Sequence, residues 1–272
     1  MKGWHGQSPE HSLAARGIKI KLKANLVNDK LDYLLPYKNR KTEYLVAVKD
    51  GEVIERTSSK KSTTGNIPLS FYDNADIIFH NHPRKRPTLA GTLLIDGLPS
   101  GPDIVAAAQY AKYRKSVFDD NMSKYFYIVS PFSVIRYRIK DLDLLIDTAP
   151  DYVSDAIHIP FMPKIDNSEE KELLTRSSKW FAEMEAKAHN EAYDSFDKKT
   201  VDSVDEFLSF KKLFYDKLAD RFKDHGIILE QVENFKEDII PEFEKAQSIK
   251  GKQLPLARLD IDKHVDSIRL GE

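Results

Sequence analysis

Residues 75–87 read ADIIFHNHPRKRP. An apolar run ends in two histidines one residue apart, and Pro83 follows at once. Side chains alternate faces along a strand, so His80 and His82 point to the same side, with Cα atoms about 7 Å apart. Two imidazoles on one side can converge on one cation. A catalytic zinc takes three protein ligands and keeps a fourth position for water. The chain has no cysteine, so the third ligand must offer oxygen or nitrogen. Asp103 is the candidate, because it stands where a helix opens after Pro99-Ser100-Gly101-Pro102. Asp96 is the reserve ligand.

These residues need a frame that holds them. TEYLVAV and EVIERTSS flank Lys49-Asp50-Gly51, and Asp-Gly between two β-prone runs predicts a tight hairpin. ADIIFHN reads as a buried strand. GPDIVAAAQYAKYRK reads as a helix with Ile104, Ala107, Ala108 and Ala111 on one face. KYFYIVS and SVIRYRI read as two further strands turned at Pro131. The expected class is α/β (α+β), a mixed sheet flanked by helices, with a helical region after it.

Around this frame, residues 1–40 form a basic N-terminal segment, with a helix from Ser8-Pro9-Glu10 to Gly17 and a short one at DKLDYLLPY that stops near Pro36. Residues 41–145 are the α/β domain and 146–166 a proline-marked linker. Residues 167–250 read as helical, with capping boxes at Asn167–Glu170 and Ser203–Glu206. The spacing of Phe207, Leu208, Phe214, Leu218 and Phe222 is that of a helix core, Gly226 ends that helix, and a third helix runs from about 228 to 247 with a kink or break at Pro241. Residues 251–272 are a tail.

Composition excludes several classes. In 272 residues, 42 Lys and Arg stand against 43 Asp and Glu, a net charge of −1. No global pull toward nucleic acid or membrane follows from that balance. The first fifty residues do hold ten basic against five acidic side chains, read here as solvated surface. Without cysteine there is no disulfide framework, thiolate zinc site or cysteine nucleophile. No apolar run approaches the ~20 residues of a membrane span, and MKGWHGQSPEHSLAARG lacks the apolar centre of a signal peptide. Cytoplasm is the expected compartment, with a virus particle the alternative. There is no Walker loop, dinucleotide turn or nucleophile elbow.

The combination HNHP…PSGPDI resembles the JAMM motif of the JAB/MPN metalloprotease superfamily: a glutamate upstream, His-x-His-Pro, then Ser-x-x-Asp. It looks closest to prokaryotic members, including RadC-like proteins and the JAB domains of phage proteins, and it covers roughly residues 40–140. The resemblance implies a JAB/MPN-like (cytidine-deaminase-like) fold and a Zn2+ cofactor held by His80, His82 and Asp103. It implies that Ser100 donates a hydrogen bond to the oxyanion, and that an upstream glutamate shuttles the proton between water and leaving amine. Glu43, Glu52 and Glu55 all lie upstream; Glu43, at the start of the first hairpin strand, matches the motif best. Asn81 faces away from the metal. One departure is the sixteen-residue span 84–99, longer than the motif's usual spacing and read as an inserted lid or substrate loop. Arg84, Lys85 and Arg86 lie in it, either as solvated surface or as contacts to an acidic substrate segment.

The function so implied is hydrolysis of a peptide or isopeptide bond, with a polypeptide substrate that includes ubiquitin-like proteins, and with the C-terminal helices presenting substrate or binding a protein partner. The alternatives are a non-catalytic JAB-fold scaffold of a phage or mobile element, and a RadC-like DNA-associated protein. A metal-dependent nuclease on the same histidines is weaker, since such sites need more carboxylates.

Overall fold

A computed structural model describes residues 29–57, 72–73, 75–83, 97–118, 124–159 and 168–267. The helix expected at 8–17, the inserted loop at 84–96 with its Arg84–Arg86 cluster and Asp96, and the Asn167 cap lie outside the described residues.

A mixed sheet of six strands, ordered β2-β1-β3-β4-β5-β7, forms the centre. β1 (Tyr44–Lys49) and β2 (Glu52–Thr57) make the expected hairpin. Asp50 and Gly51 both take positive φ, 51° and 80°, as a tight two-residue turn between twisted strands requires. β3 (Ile77–Asn81) pairs antiparallel with β1 and parallel with β4 (Phe126–Val129). β5 (Ser133–Ile139) returns antiparallel to β4. The parallel step from β3 to β4 is bridged by a helix, α2 (Gly101–Phe118). A shorter helix, α1 (Asp29–Leu34), precedes β1 and ends in a 3-10 turn at Leu35–Tyr37.

β3 is buried along its whole length, which explains its unbroken apolar run. On one face of the sheet Leu45, Ala47, Ile78, Ile128 and Ile135 pack on Ile104, Ala107, Ala108 and Ala111 of α2. On the other, Val46, Val48, Ile77 and Phe79 pack on Leu34 and Tyr37. By alternation, His80 and His82 belong to the α2 side with Ile78, and Asn81 to the α1 side with Phe79.

The C-terminal half departs from expectation in several places. The proposed linker is helical over its first part: α3 (Leu142–Thr148) runs into it and α4 (Asp151–His158) lies within it. Asp141 caps α3 by accepting from the Leu144 N–H, and Pro150 stands at the N-cap of α4; this proline starts a helix instead of interrupting one. Helices α5 (Ser168–Ser195) and α6 (Val204–Asp224) form as read, with Ser203 capping α6. The helix expected from 228 is instead a strand over its first part, β7 (Ile227–Asn234), antiparallel to β5. Gly226, at φ 70°, reverses the chain, and Ile227 and Leu229 then turn inward alternately. Helix α7 (Lys236–Lys250) follows and runs through Pro241 without breaking. Strands β6 (Thr200–Val201) and β8 (Leu254–Pro255) pair, and α8 (Ile261–Ser267) closes the described chain. Phe207, Phe214, Leu218 and Phe222 are buried in the same cluster as the α2 face of the sheet, so this stripe is core.

Candidate metal centre

The site forms at the carboxyl ends of the parallel strands β3 and β4, where α/β sheets commonly place ligands. His80 is the penultimate residue of β3, and the His82 N–H donates to Val129 O at 2.9 Å. That bond carries β3 on toward β4 and fixes the second imidazole. The two Nε2 atoms lie 3.0 Å apart.

Asp103 arrives from the first turn of α2. Its Oδ1 is 3.4 Å from His80 Nε2, and its Oδ2 is 3.7 Å from His82 Nε2. Ligand atoms ~2.0–2.1 Å from a tetrahedral zinc stand about 3.3–3.4 Å from one another. The three observed distances bracket that value, but the two from Asp103 end on different oxygens, so the carboxylate would have to turn to give one oxygen to a cation shared with both histidines. The Glu43 carboxylate joins them: ligand atoms of Glu43, His80 and His82 all lie within 4.8 Å of one another, a group that could hold a metal. Exposure falls inward, from 28% for the His82 side chain to 17% for Asp103 and 7% for His80. The cluster is therefore open on the His82 side and closed beneath His80.

The charges are tightly coupled. Burial disfavours a charged His80, but the charge and hydrogen bond of Asp103, with the charge of Glu43, outweigh it and raise its pKa. Burial likewise opposes ionised Asp103, yet the two histidines hold its carboxyl well below the usual range. A divalent cation placed between these groups takes over the role that protons otherwise fill.

Ser100 is the N-cap of α2. Its N–H and its Oγ–H both donate to Asp103 Oδ2, each at 2.7 Å, and the Asp103 N–H faces Ser100 Oγ at 3.4 Å. This reciprocal box leaves Oδ1 for His80 and orients the carboxylate, the part a supporting residue plays around a metal ligand. Serine has one O–H, so an oxyanion receives it only when the hydroxyl turns away from Asp103; the backbone N–H then still holds the carboxylate. The chain is delivered to Ser100 by Gly97, at φ 80°, where an added Cβ would come within 2.9 Å of Ser133 Oγ and 3.0 Å of Ser130 Oγ. Gly101 lies against α5, and a Cβ there would meet Ser178 Cα at 2.5 Å.

Of the other glutamates considered, Glu52 is exposed at the far end of the hairpin, paired with Lys49. Two residues escaped the sequence reading. Tyr137 O–H donates to the Asp103 carbonyl at 3.5 Å, and Tyr72, also buried, feels the Asp103 charge. Burial first, and Asp103 second, push both phenols up and keep them neutral. The period of SVIRYRI put Tyr137 on the α2 face with Ile135, which was the available signal.

Comparison with protein-family models, with curated proteins and with solved structures finds no match.

Proposed function

We propose that this chain is a zinc-dependent hydrolase of the JAB/MPN type that cleaves a peptide or isopeptide bond. The observation that carries the reading is the meeting of the His80 and His82 imidazoles with two carboxylates, Glu43 within 4.8 Å of both ring nitrogens and Asp103 at 3.4 and 3.7 Å through its two oxygens. The element order supports it: a hairpin, the histidine strand, a helix opened by Ser-x-x-Asp, then two strands.

His80, His82 and Asp103 hold the cation. Bound there, zinc lowers the pKa of a water toward neutrality and polarises the scissile carbonyl. Glu43 accepts the proton of the attacking water and returns it to the leaving amine. Ser100 orients Asp103 in the ground state and turns its hydroxyl to the oxyanion during the reaction. The substrate class is polypeptide, with a ubiquitin-like protein as one member.

A second reading is a non-catalytic binding domain. It is favoured by the self-contained Ser100–Asp103 box, which satisfies the carboxylate without a substrate. A screen of peptide and isopeptide substrates with zinc-loaded protein separates the two. Hydrolysis that is lost in Glu43→Ala with zinc still bound supports the enzyme. A zinc-bound chain inert to every substrate supports the binding domain.

A further inference from the structure

Asn81 sits between the two histidines yet belongs to the opposite face of the sheet, and it is fully buried. Its side chain does not pack as a spacer. Asn81 Oδ1 accepts from the Tyr44 N–H at 2.6 Å, and Asn81 Nδ2 donates to the Thr42 carbonyl at 3.1 Å. The two backbone groups it holds flank Glu43 on either side.

The ladder explains why such a clamp is needed. The last registered pair between β1 and β3 is Leu45 with His80. Extended by two residues, that register sets Glu43 opposite His82. Beyond His80, however, β3 follows β4 through the His82 N–H, and β1 begins only at Tyr44. Glu43, itself half-buried, thus lies outside the regular ladder. Asn81 replaces the missing rungs with one donor and one acceptor, and a primary amide is the side chain that supplies both at once.

We propose that Asn81 is a positioning residue: by clamping Thr42 and Tyr44 from β3, it sets the Glu43 carboxylate against the histidine pair that Asn81 itself separates. One strand thereby carries the metal ligands on one face and the fixture of the proton carrier on the other. Its function rests on the hydrolase reading above, but the clamp can be tested without metal.

The first readout is amide hydrogen exchange of the metal-free protein. Tyr44 N–H is protected in the wild type. In Asn81→Ala its exchange rises about tenfold, the loss of one net hydrogen bond, while Val46 and Val48 keep their rates. Asn81→Asp retains the acceptor for Tyr44 and loses the donor to Thr42, which keeps the question answerable should the alanine variant not fold. A Tyr44 amide that exchanges freely in the wild type overturns the clamp. The second readout is the pH midpoint of the visible spectrum of Co2+-loaded protein. A nearby carboxylate disfavours ionisation of water at the ion, so Glu43→Gln lowers the midpoint. Asn81→Ala moves it the same way with Co2+ still bound, and changes the ionisation constant less than about twofold when added to Glu43→Gln, the limit of independent behaviour. Equal shifts in both backgrounds overturn the positioning role. Wild type that takes up no Co2+ overturns the hydrolase reading instead, and exchange at Tyr44 still reports the clamp.

Discussion

Among the described residues, two clusters combine histidine with carboxylate, and they differ in what the backbone does with them. In the first, His80 and His82 sit two residues apart on a strand and their Nε2 atoms meet at 3.0 Å. In the second, Glu185 and His189 sit one turn apart on α5, and His264 of α8 brings its Nε2 to 3.5 Å from Glu185 Oε2. There the ring of His189 turns edge-on to Phe210 and Phe214, with centroids 5.5 and 5.8 Å away. Among the described residues, the group that brings three ligand-type atoms within 4.8 Å of one another is Glu43, His80 and His82. Residue type alone therefore decides little. A strand aims i and i+2 at one point, and the residue before β1, Glu43, then supplies the third ligand atom. The helical cluster spends the same chemistry on docking α8 and filling the core.

That contrast can be broken at four levels. The largest effect belongs to the ligands. His80→Ala with His82→Ala weakens zinc binding by more than about 100-fold, beyond the loss typical of outer supporting residues, in a chelator competition assay. His189→Gln with His264→Ala leaves zinc affinity unchanged in the same assay. Next comes the helix that delivers Asp103. Gly101→Ala drives a Cβ into the Ser178 backbone, and overpacking of this kind costs about 1–3 kcal/mol. Urea denaturation reads the loss, and weakened zinc binding alongside it shows that α2 has moved.

Ser100→Ala is milder. It removes a helix cap at ~0.5–2 kcal/mol and frees one oxygen of the ligand carboxylate, so zinc affinity falls about tenfold by calorimetric titration. The smallest effect is in pH dependence, where the clusters pull in opposite directions. Burial lowers the pKa of His189 below its ordinary 6.5, with Asn190 opposing and His264 reinforcing the shift. The unfolded chain then binds more protons than the folded one below 6.5, and stability falls as pH drops through that value. His80 in the metal-free protein is raised above 6.5, so its contribution is complete below that value and fades as pH rises through the raised one. Urea denaturation in chelator from about pH 5 to 8 separates them: His189→Gln flattens the acid side, and His80→Ala the neutral side.

Much of the first half was legible because its signals are local. Asp50-Gly51 names its own turn, the run at 77–81 its burial, and Ser100 with Asp103 its helix start. His80, His82 and Asp103 were read from their places on those elements, whereas Glu43 and Ser100 entered only through the resemblance to the JAMM motif. The second half was less legible for physical reasons. GIILEQVEN carries apolar residues that suit a helix face as well as a strand, and pairing with β5, some ninety residues earlier, decided between them. Prolines at 146–166 looked like breakers, yet Pro150 can begin a helix as readily as prevent one. The Asn81 clamp was visible only as a face, since its partners depend on where β1 stops.

Metal content by mass spectrometry of purified protein, wild type beside the His80→Ala, His82→Ala variant, tests the central claim most directly. About one zinc per chain is expected, lost in the variant. A wild type that holds no metal and takes up none when zinc is added contradicts it, and leaves FHNHP as the edge of a fold used for binding.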